Sequence, residues 1–319
     1  MIIFDKNHWG WIVSLLIILF ASLSVWAEEG GFKLRILGSG GPGSTQFRNE
    51  PAVLIENGSD FVLVDMGNGT WETLKKLGIK TSDIDAFFFT HHHMDHDQEF
   101  IPIFLSSYFG RESSLSAVVG TAGTGELVDF VLSFYKDDLL YRLSSIKKQR
   151  IEEISRPEVR EVHGGEEFSL LSFTIKTAAV NHTIETVAYR FEANGKTLVI
   201  SGDLYYSPGL VQLAKDADIL VLDAGGILST ANNSKKNYQS NKNKKLKSPE
   251  SKVRSHSTSE EIVRMVEEST PKLVVLTHLP DRKVELEDIK LLFPESVRNN
   301  IMLAEDMLEL YVGKSKSAY

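Results

Sequence analysis

The sequence predicts a mixed α/β domain with antiparallel as well as parallel strand pairing, and three observations carry this. From residue 33 onward, short apolar and β-branched runs alternate with amphipathic stretches. Turn signals such as Asn57-Gly58 and Ala193-Asn194-Gly195-Lys196 sit close enough to their flanking runs to close hairpins, which excludes a purely parallel βαβ architecture. The 319 residues are 42% hydrophobic and 24% charged, which suits a globular domain and excludes bulk disorder.

The elements follow in order. Trp9 to Ala27 carry no charge and include WIVSLLIILF, with Lys6 before and Glu28-Glu29 after. Residues 1–27 read as a signal peptide cut after Ala27, because Val25 and Ala27 suit the positions three and one before the cut. The alternative is an uncleaved anchor, since about 19 apolar residues can just cross a hydrocarbon core of about 30 Å. Both place the body outside the cytoplasm, periplasmic or secreted in the first case and membrane-anchored facing outward in the second. KLRIL, PAVLIE and FVLVD then read as strands, GTWETLKKLG as a helix, and AFFFT as a buried strand running into His91. Further strands are expected at LSAVVG, FSLLSFTIKTA, TVAYRFEA, KTLVIS, DILVLDA and KLVVLTH, and helices at TGELVDFVLSFY and TSEEIVRMVEES.

Composition narrows the chemistry. A formal net charge of −8 excludes a basic nucleic-acid scaffold. With no cysteine there are no disulfides, thiol nucleophiles or thiolate metal sites, so any metal is held by His, Asp or Glu. Gly38-Ser39-Gly40-Gly41-Pro42-Gly43 satisfies G-x-G-x-x-G, with Asp65 some twenty residues on, but a dinucleotide site needs a helix to open at the third glycine. Here Pro51-Ala52-Val53-Leu54-Ile55 continues as a strand, so the segment reads as a glycine-rich turn near the active site.

The informative segment is Thr90-His91-His92-His93-Met94-Asp95-His96. In extended backbone, residues two apart point the same way, so His91 and His93 can bind one metal while the turn after them aims Asp95 and His96 at a second. Distant ligands are available at three strand ends: Asn181-His182, Ser201-Gly202-Asp203 and Thr277-His278. His92 alternates away, His163 lies in a turn and His8 in the leader, so these three read as structural or exposed.

Together these residues resemble the metallo-β-lactamase superfamily, from about Lys33 to about Val312. The likeness is greatest to its ribonuclease Z and arylsulfatase-like branch, through ILGSGGPGSTQFRNEPAVLI, LVDMGNGT, GRESSLSAVVGTAGTGELVDFVLSFY and HSTSEEIVRMVEESTPKLVVLTHL. The resemblance implies a four-layer αββα sandwich over 33–312. It implies His91, His93 and His182 on a first ion, Asp95, His96 and His278 on a second, and Asp203 bridging. Two divalent ions sharing a hydroxide make a hydrolase, with Asp95 counted among the catalytic residues as well as the ligands. Zinc is favoured, and Mn or Fe also suits imidazole and carboxylate donors. His256 is implied as proton donor to the leaving group, oriented by Asp223. The family usually has His-Glu-Ala-Thr where this chain reads Leu222-Asp223-Ala224-Gly225, which leaves open whether the shorter aspartate reaches His256.

The departures bear on substrate. Ribonuclease Z enzymes commonly insert a tRNA-binding arm between the positions of His182 and Asp203, yet only twenty residues separate them here, so tRNA is not expected as a partner. A polar insertion lies instead at 229–254, with eight basic residues and one acidic from Lys235 to Arg254, a net of +7 that leaves −15 on the rest. Its composition reads as a mobile loop. The expected function is an exported dinuclear-metal phosphodiesterase acting on an anionic ester, small or oligomeric. The alternatives are an arylsulfatase or other ester or lactone hydrolase, and, from another class, a metal-binding interaction module without turnover. β-Lactam hydrolysis is disfavoured by the aspartate at 203. A homodimer is implied by the resemblance alone, and a membrane partner only if the leader is uncleaved.

Overall fold

The computed structural model describes residues 31–43, 46–110, 115–227, 254–290 and 292–313. The expected leader and all of the basic insertion except Arg254 lie outside them. Among the described residues, no helix is long and apolar enough to cross a membrane. Within the described residues, fourteen strands form two sheets of seven. The first runs β14 (Glu309–Val312), β1 (Phe32–Gly38), β2 (Ala52–Asn57), β3 (Asp60–Val64), β4 (Ala86–Phe88), β5 (Ala117–Gly120), β6 (Glu158–Glu161). The second runs β13 (Ile301–Leu303), β12 (Leu273–Thr277), β11 (Ile219–Asp223), β10 (Lys196–Ile200), β9 (Thr186–Ala193), β8 (Phe173–Val180), β7 (Glu167–Leu170). In each sheet one half is antiparallel and the other parallel: β3 to β6 in the first, β10 to β13 in the second.

Strand periodicity divides the apolar residues among three cores, which makes the layers αββα as the resemblance implies. Leu34, Ile36, Val64 and Phe88 face Ile175, Tyr189 and Val221 in the central core between the sheets. Leu54, Leu63 and Phe87 point the other way, onto the helices Thr70–Lys76, Phe100–Ser107 and Thr124–Phe134 (α1, α3, α4). On the outside of the second sheet, Val199, Leu220 and Val274 pack against helices Pro208–Leu213 and Ser259–Ser269 (α6, α7). The anticipated hairpin is present: Ala193 pairs with Lys196, and Asn194 and Gly195 have φ of 55° and 69°, the left-handed pair a tight two-residue turn requires.

The run FSLLSFTIKTA departs from expectation. It reads as one strand but forms two, β7 and β8, folded back at Leu171, which takes φ 54°. The stretch between His182 and Asp203 is filled by β9, the hairpin turn and β10. What the sandwich does for function is set by its parallel halves. The ends of β3, β4, β10, β11 and β12 open on one edge of the two sheets, where ligands collect in α/β folds.

Candidate metal centre

Each residue of the H-x-H-x-D-H segment is placed by the end of β4. His91, His92 and His93 leave the strand in extended backbone, and the short helix Met94–Asp97 (α2) then turns Asp95 and His96 back under them. His182 follows β8, Asp203 follows β10, Asp223 ends β11, and His278 follows β12 with φ 58°. The structure brings together every metal-site residue expected from the sequence. The donor atoms of His91, His93, His182 and Asp203 lie within 4.8 Å of one another, as do those of Asp95, His96, Asp203 and His278. A third group, Asp203, Asp223, His256 and His278, adjoins them. Asp203 belongs to all three and is buried.

The ring nitrogens are oriented from outside the cluster. Thr90 Oγ1 donates to Asp65 Oδ2 at 2.7 Å, so it accepts from His91 Nδ1 at 3.0 Å and leaves His91 Nε2 as a bare lone pair. His182 Nδ1 donates to the Ser255 carbonyl at 2.9 Å, and His96 Nδ1 to Asp65 Oδ2 at 2.8 Å. The His93 Nε2 lies 3.3 Å from the Thr183 hydroxyl, leaving Nδ1 to face inward. That Nδ1 is 3.1 Å from His91 Nε2 and 3.2 Å from His182 Nε2. Lone pairs converging at such distances repel unless a cation lies among them, and donors about 2.0–2.1 Å from a tetrahedral ion sit about 3.3 Å apart. On the other side, His96 Nε2 is buried without a hydrogen-bond partner, 3.3 Å from Asp203 Oδ1. His278 Nε2 is 3.2 Å from Asp203 Oδ2 and 3.3 Å from Asp95 Oδ2. These donors fit divalent metal ions.

Asp65 is the residue that sequence reasoning missed. Its carboxylate also accepts the Thr90 backbone N–H at 2.8 Å, so one side chain fixes both arms of the histidine motif. The readable signal was a lone acid at the end of the buried run FVLV. We expect Asp65→Ala to weaken metal affinity by about 10- to 100-fold while leaving the fold intact, measured by competition with a chelating dye. The glycine-rich turn is confirmed as part of the wall. Leu279 N–H donates to Ser39 O and Gly41 N–H to Leu279 O, and a Cβ on Gly41 would stand 2.6 Å from His278 Cε1. His92 is turned away, to Thr124 Oγ1 at 2.9 Å and Asp97 at 3.3 Å, and His163 pairs with Glu185 in solvent.

Electrostatics match two kinds of neighbourhood. Burial holds the His91 imidazole far below the ordinary histidine range and lowers His182 in the same way. Burial also works against charging His278, but Asp203 and Asp95 outweigh it and push that imidazole up to about 10. His96 is likewise raised, against its burial, by Asp203 and Asp65. Burial alone would raise Asp203, yet His278 and His96 hold it well below the usual carboxylate range. Without metal, the neighbouring carboxylates therefore favour the protonated forms of His96 and His278. Metal uptake must displace those protons, so affinity should rise with pH, and calorimetry in buffers of different ionisation enthalpy should show proton release. Uptake without proton release would contradict this.

Asp223 does reach His256: its Oδ2 accepts from His256 Nδ1 at 2.9 Å, and also from the Leu204 N–H at 3.0 Å. The Gly225 N–H donates to Oδ1 at 2.8 Å. The two backbone N–H groups fix the orientation of the carboxylate that meets His256. Burial pulls His256 down, but its bond to Asp223 prevails and its pKa is raised.

The chain is 28% identical over 197 residues to ribonuclease Z of Mycobacterium bovis (strain BCG / Pasteur 1173P2), spanning 59% of this chain and 69% of that protein. In structure it is similar to the metallo-β-lactamase fold protein YhfI from Bacillus subtilis, with a TM-score of 0.65 at 17% identity over 89% of this chain and all of that one. It is also similar to the short form of human tRNase Z, with a TM-score of 0.61 at 19% identity over 88% and 100%. The chain is a metal-dependent hydrolase with the metallo-β-lactamase fold. The profile of one family matches residues 32–225, more than half of the sequence, and the chain belongs to that family, described as anti-Pycsar protein Apyc1.

Proposed function

We propose that the chain is an exported phosphodiesterase working with two divalent ions, most readily zinc. The observation that carries this is the Asp203 carboxylate, with Oδ1 facing His96 and Oδ2 facing His278, His91 and His182 at 3.2–3.9 Å. One buried carboxylate between two complete donor sets supports a shared ligand. His91, His93 and His182 would hold one ion, and Asp95, His96 and His278 the other. When bound, the pair supplies Lewis acidity and a water of lowered pKa.

The chain's own residues do the remaining work. Asp223 holds His256 with Nδ1 inward, so Nε2 is left to the cleft, and the raised pKa favours a proton there. His256 delivers it to the departing alkoxide oxygen as the phosphorus–oxygen bond breaks. Asp223 is itself held by the Leu204 and Gly225 N–H groups. Gly225 lets both imidazoles approach, since a Cβ there would lie 2.9 Å from His278 Nδ1 and 3.0 Å from His256 Cγ.

The deciding experiment offers the metal-loaded protein phosphodiesters, cyclic nucleotides among them, beside aryl sulfates, lactones and a β-lactam. Turnover of phosphodiesters that stops on chelation is expected. Turnover confined to sulfates or lactones would move the site to another ester class, and none on any substrate with metal bound would make it a binding module. Export rests on the sequence of residues 9–27. Intact mass of protein from its native envelope should correspond to a chain starting at Glu28, and a species retaining Met1 would mean an anchored enzyme.

A further inference from the structure

We propose that the groove between α1 and the C-terminal end of α3 is a second binding site, for a small organic anion that carries a planar ring. It shares no residue with the metal centre and stands independently of the phosphodiesterase reading.

The groove has a volume of about 420 Å³, within the range of small-molecule sites, and Trp71, Lys75, Lys80, Thr81, Ser106 and Phe109 are among the residues that line it. Helix α1 buries Thr70, Thr73 and Leu74, and turns Trp71 and Lys75, one helical turn apart, to the groove. The Lys75 Nζ stands 5.0 Å from the centre of the Trp71 ring. Ser106 and Phe109 come from the end of α3, where the Phe109 N–H donates to Ser106 O at 3.1 Å. The short helical turn Thr81–Asp83 supplies Thr81, which is buried and whose Oγ1 lies 2.8 Å from Ser106 Oγ.

Charge decides the sign of the ligand. The chain carries a net −8, yet among the described residues the ionisable side chains lining this groove are Lys75 and Lys80, and none is acidic. Of the acids beside it, Glu72 meets Lys75 at 3.9 Å with both side chains exposed, a contact worth little in water, and Asp83 accepts the Lys80 backbone N–H at 3.0 Å. The hydroxyls of Thr81 and Ser106 use one of their two hydrogens on each other, and the second is left for an acceptor. Ammonium groups and a hydroxyl hydrogen suit the oxygens of a carboxylate or a phosphate-like group. Trp71 and Phe109 suit a flat ring. Trp71 is also fixed in advance, because its backbone N–H donates to Glu99 Oε2 at 2.8 Å, and a pre-positioned ring lowers the cost of binding.

The probes are 2-naphthoate and 2-naphthylphosphonate, titrated into metal-loaded full chain labelled with 5-fluorotryptophan. The readout is the fluorine resonance of Trp71, identified by its disappearance in Trp71→Phe. At least one probe should shift that resonance saturably with a Kd of about 1 mM or below, and the tighter of the two identifies the oxyanion. Lys75→Gln combined with Lys80→Gln should weaken binding about 3- to 20-fold, as should removal of the charge in 2-naphthylmethanol. Saturating the ring, in decalin-2-carboxylate, should weaken it about 2- to 10-fold. Asp203→Ala should leave the titration unchanged, because that residue belongs to the metal centre. No shift with either probe, equal affinity in the double lysine variant, equal affinity for the uncharged or saturated analogue, or a titration lost in Asp203→Ala would overturn the proposal.

Discussion

Asp203→Ala should abolish turnover, by about 10³-fold or more, because it removes the one group that faces both donor sets. The carboxylate is buried, and His278 and His96 hold it charged. Its loss leaves two histidine sets with no common anion to draw the ions together. Asp203→Asn, which keeps the shape, should retain the fold by circular dichroism and still lose metal and rate. His92→Ala is the control, since His92 contacts Thr124 and Asp97 and should change neither. Full occupancy and rate in the Asp203 variants would remove the shared-ligand assignment.

The second large effect separates proton delivery from metal binding. His256→Ala should keep its metal and lose about 10²- to 10⁴-fold in kcat on an alkyl diester, whose alkoxide needs a proton to leave. On a p-nitrophenyl ester the loss should shrink, because nitrophenolate departs unaided. Asp223→Asn should show a milder version of the same leaving-group dependence, since its amide can still hold the ring while no longer favouring the protonated form. Equal losses on both esters would assign His256 to positioning the substrate.

The metal ligands were legible because their pattern is local or sits at recognisable strand ends. His91, His93, Asp95 and His96 lie in one turn, and His182, Asp203 and His278 each follow an apolar strand. Asp65 was harder: a single carboxylate after FVLV has no partner in sequence, and its bonds to Thr90 and His96 appear only when β3 pairs with β4. Likewise, Asp223 reaches His256 with a geometry that residue type alone left open.

The strands and helices followed from apolar period and their four-layer arrangement from the family resemblance, and the misses have physical causes. The bend at Leu171 lies inside an apolar run and uses a non-glycine residue in left-handed backbone, so no glycine or proline announces it. Strand β6, EVRE, is a polar edge strand with little buried surface to mark it. The helix Lys136–Lys147 (α5) buries only Leu139 and Leu143, too narrow a stripe to stand out.

Metal content and diester turnover measured on the same preparation test the central claim most directly. Elemental analysis of active protein should give two divalent ions per chain, with activity falling as a chelator removes them and returning on readdition. Full phosphodiester turnover by protein stripped of metal, or by protein holding a single ion at saturation, would contradict a centre built on Asp203.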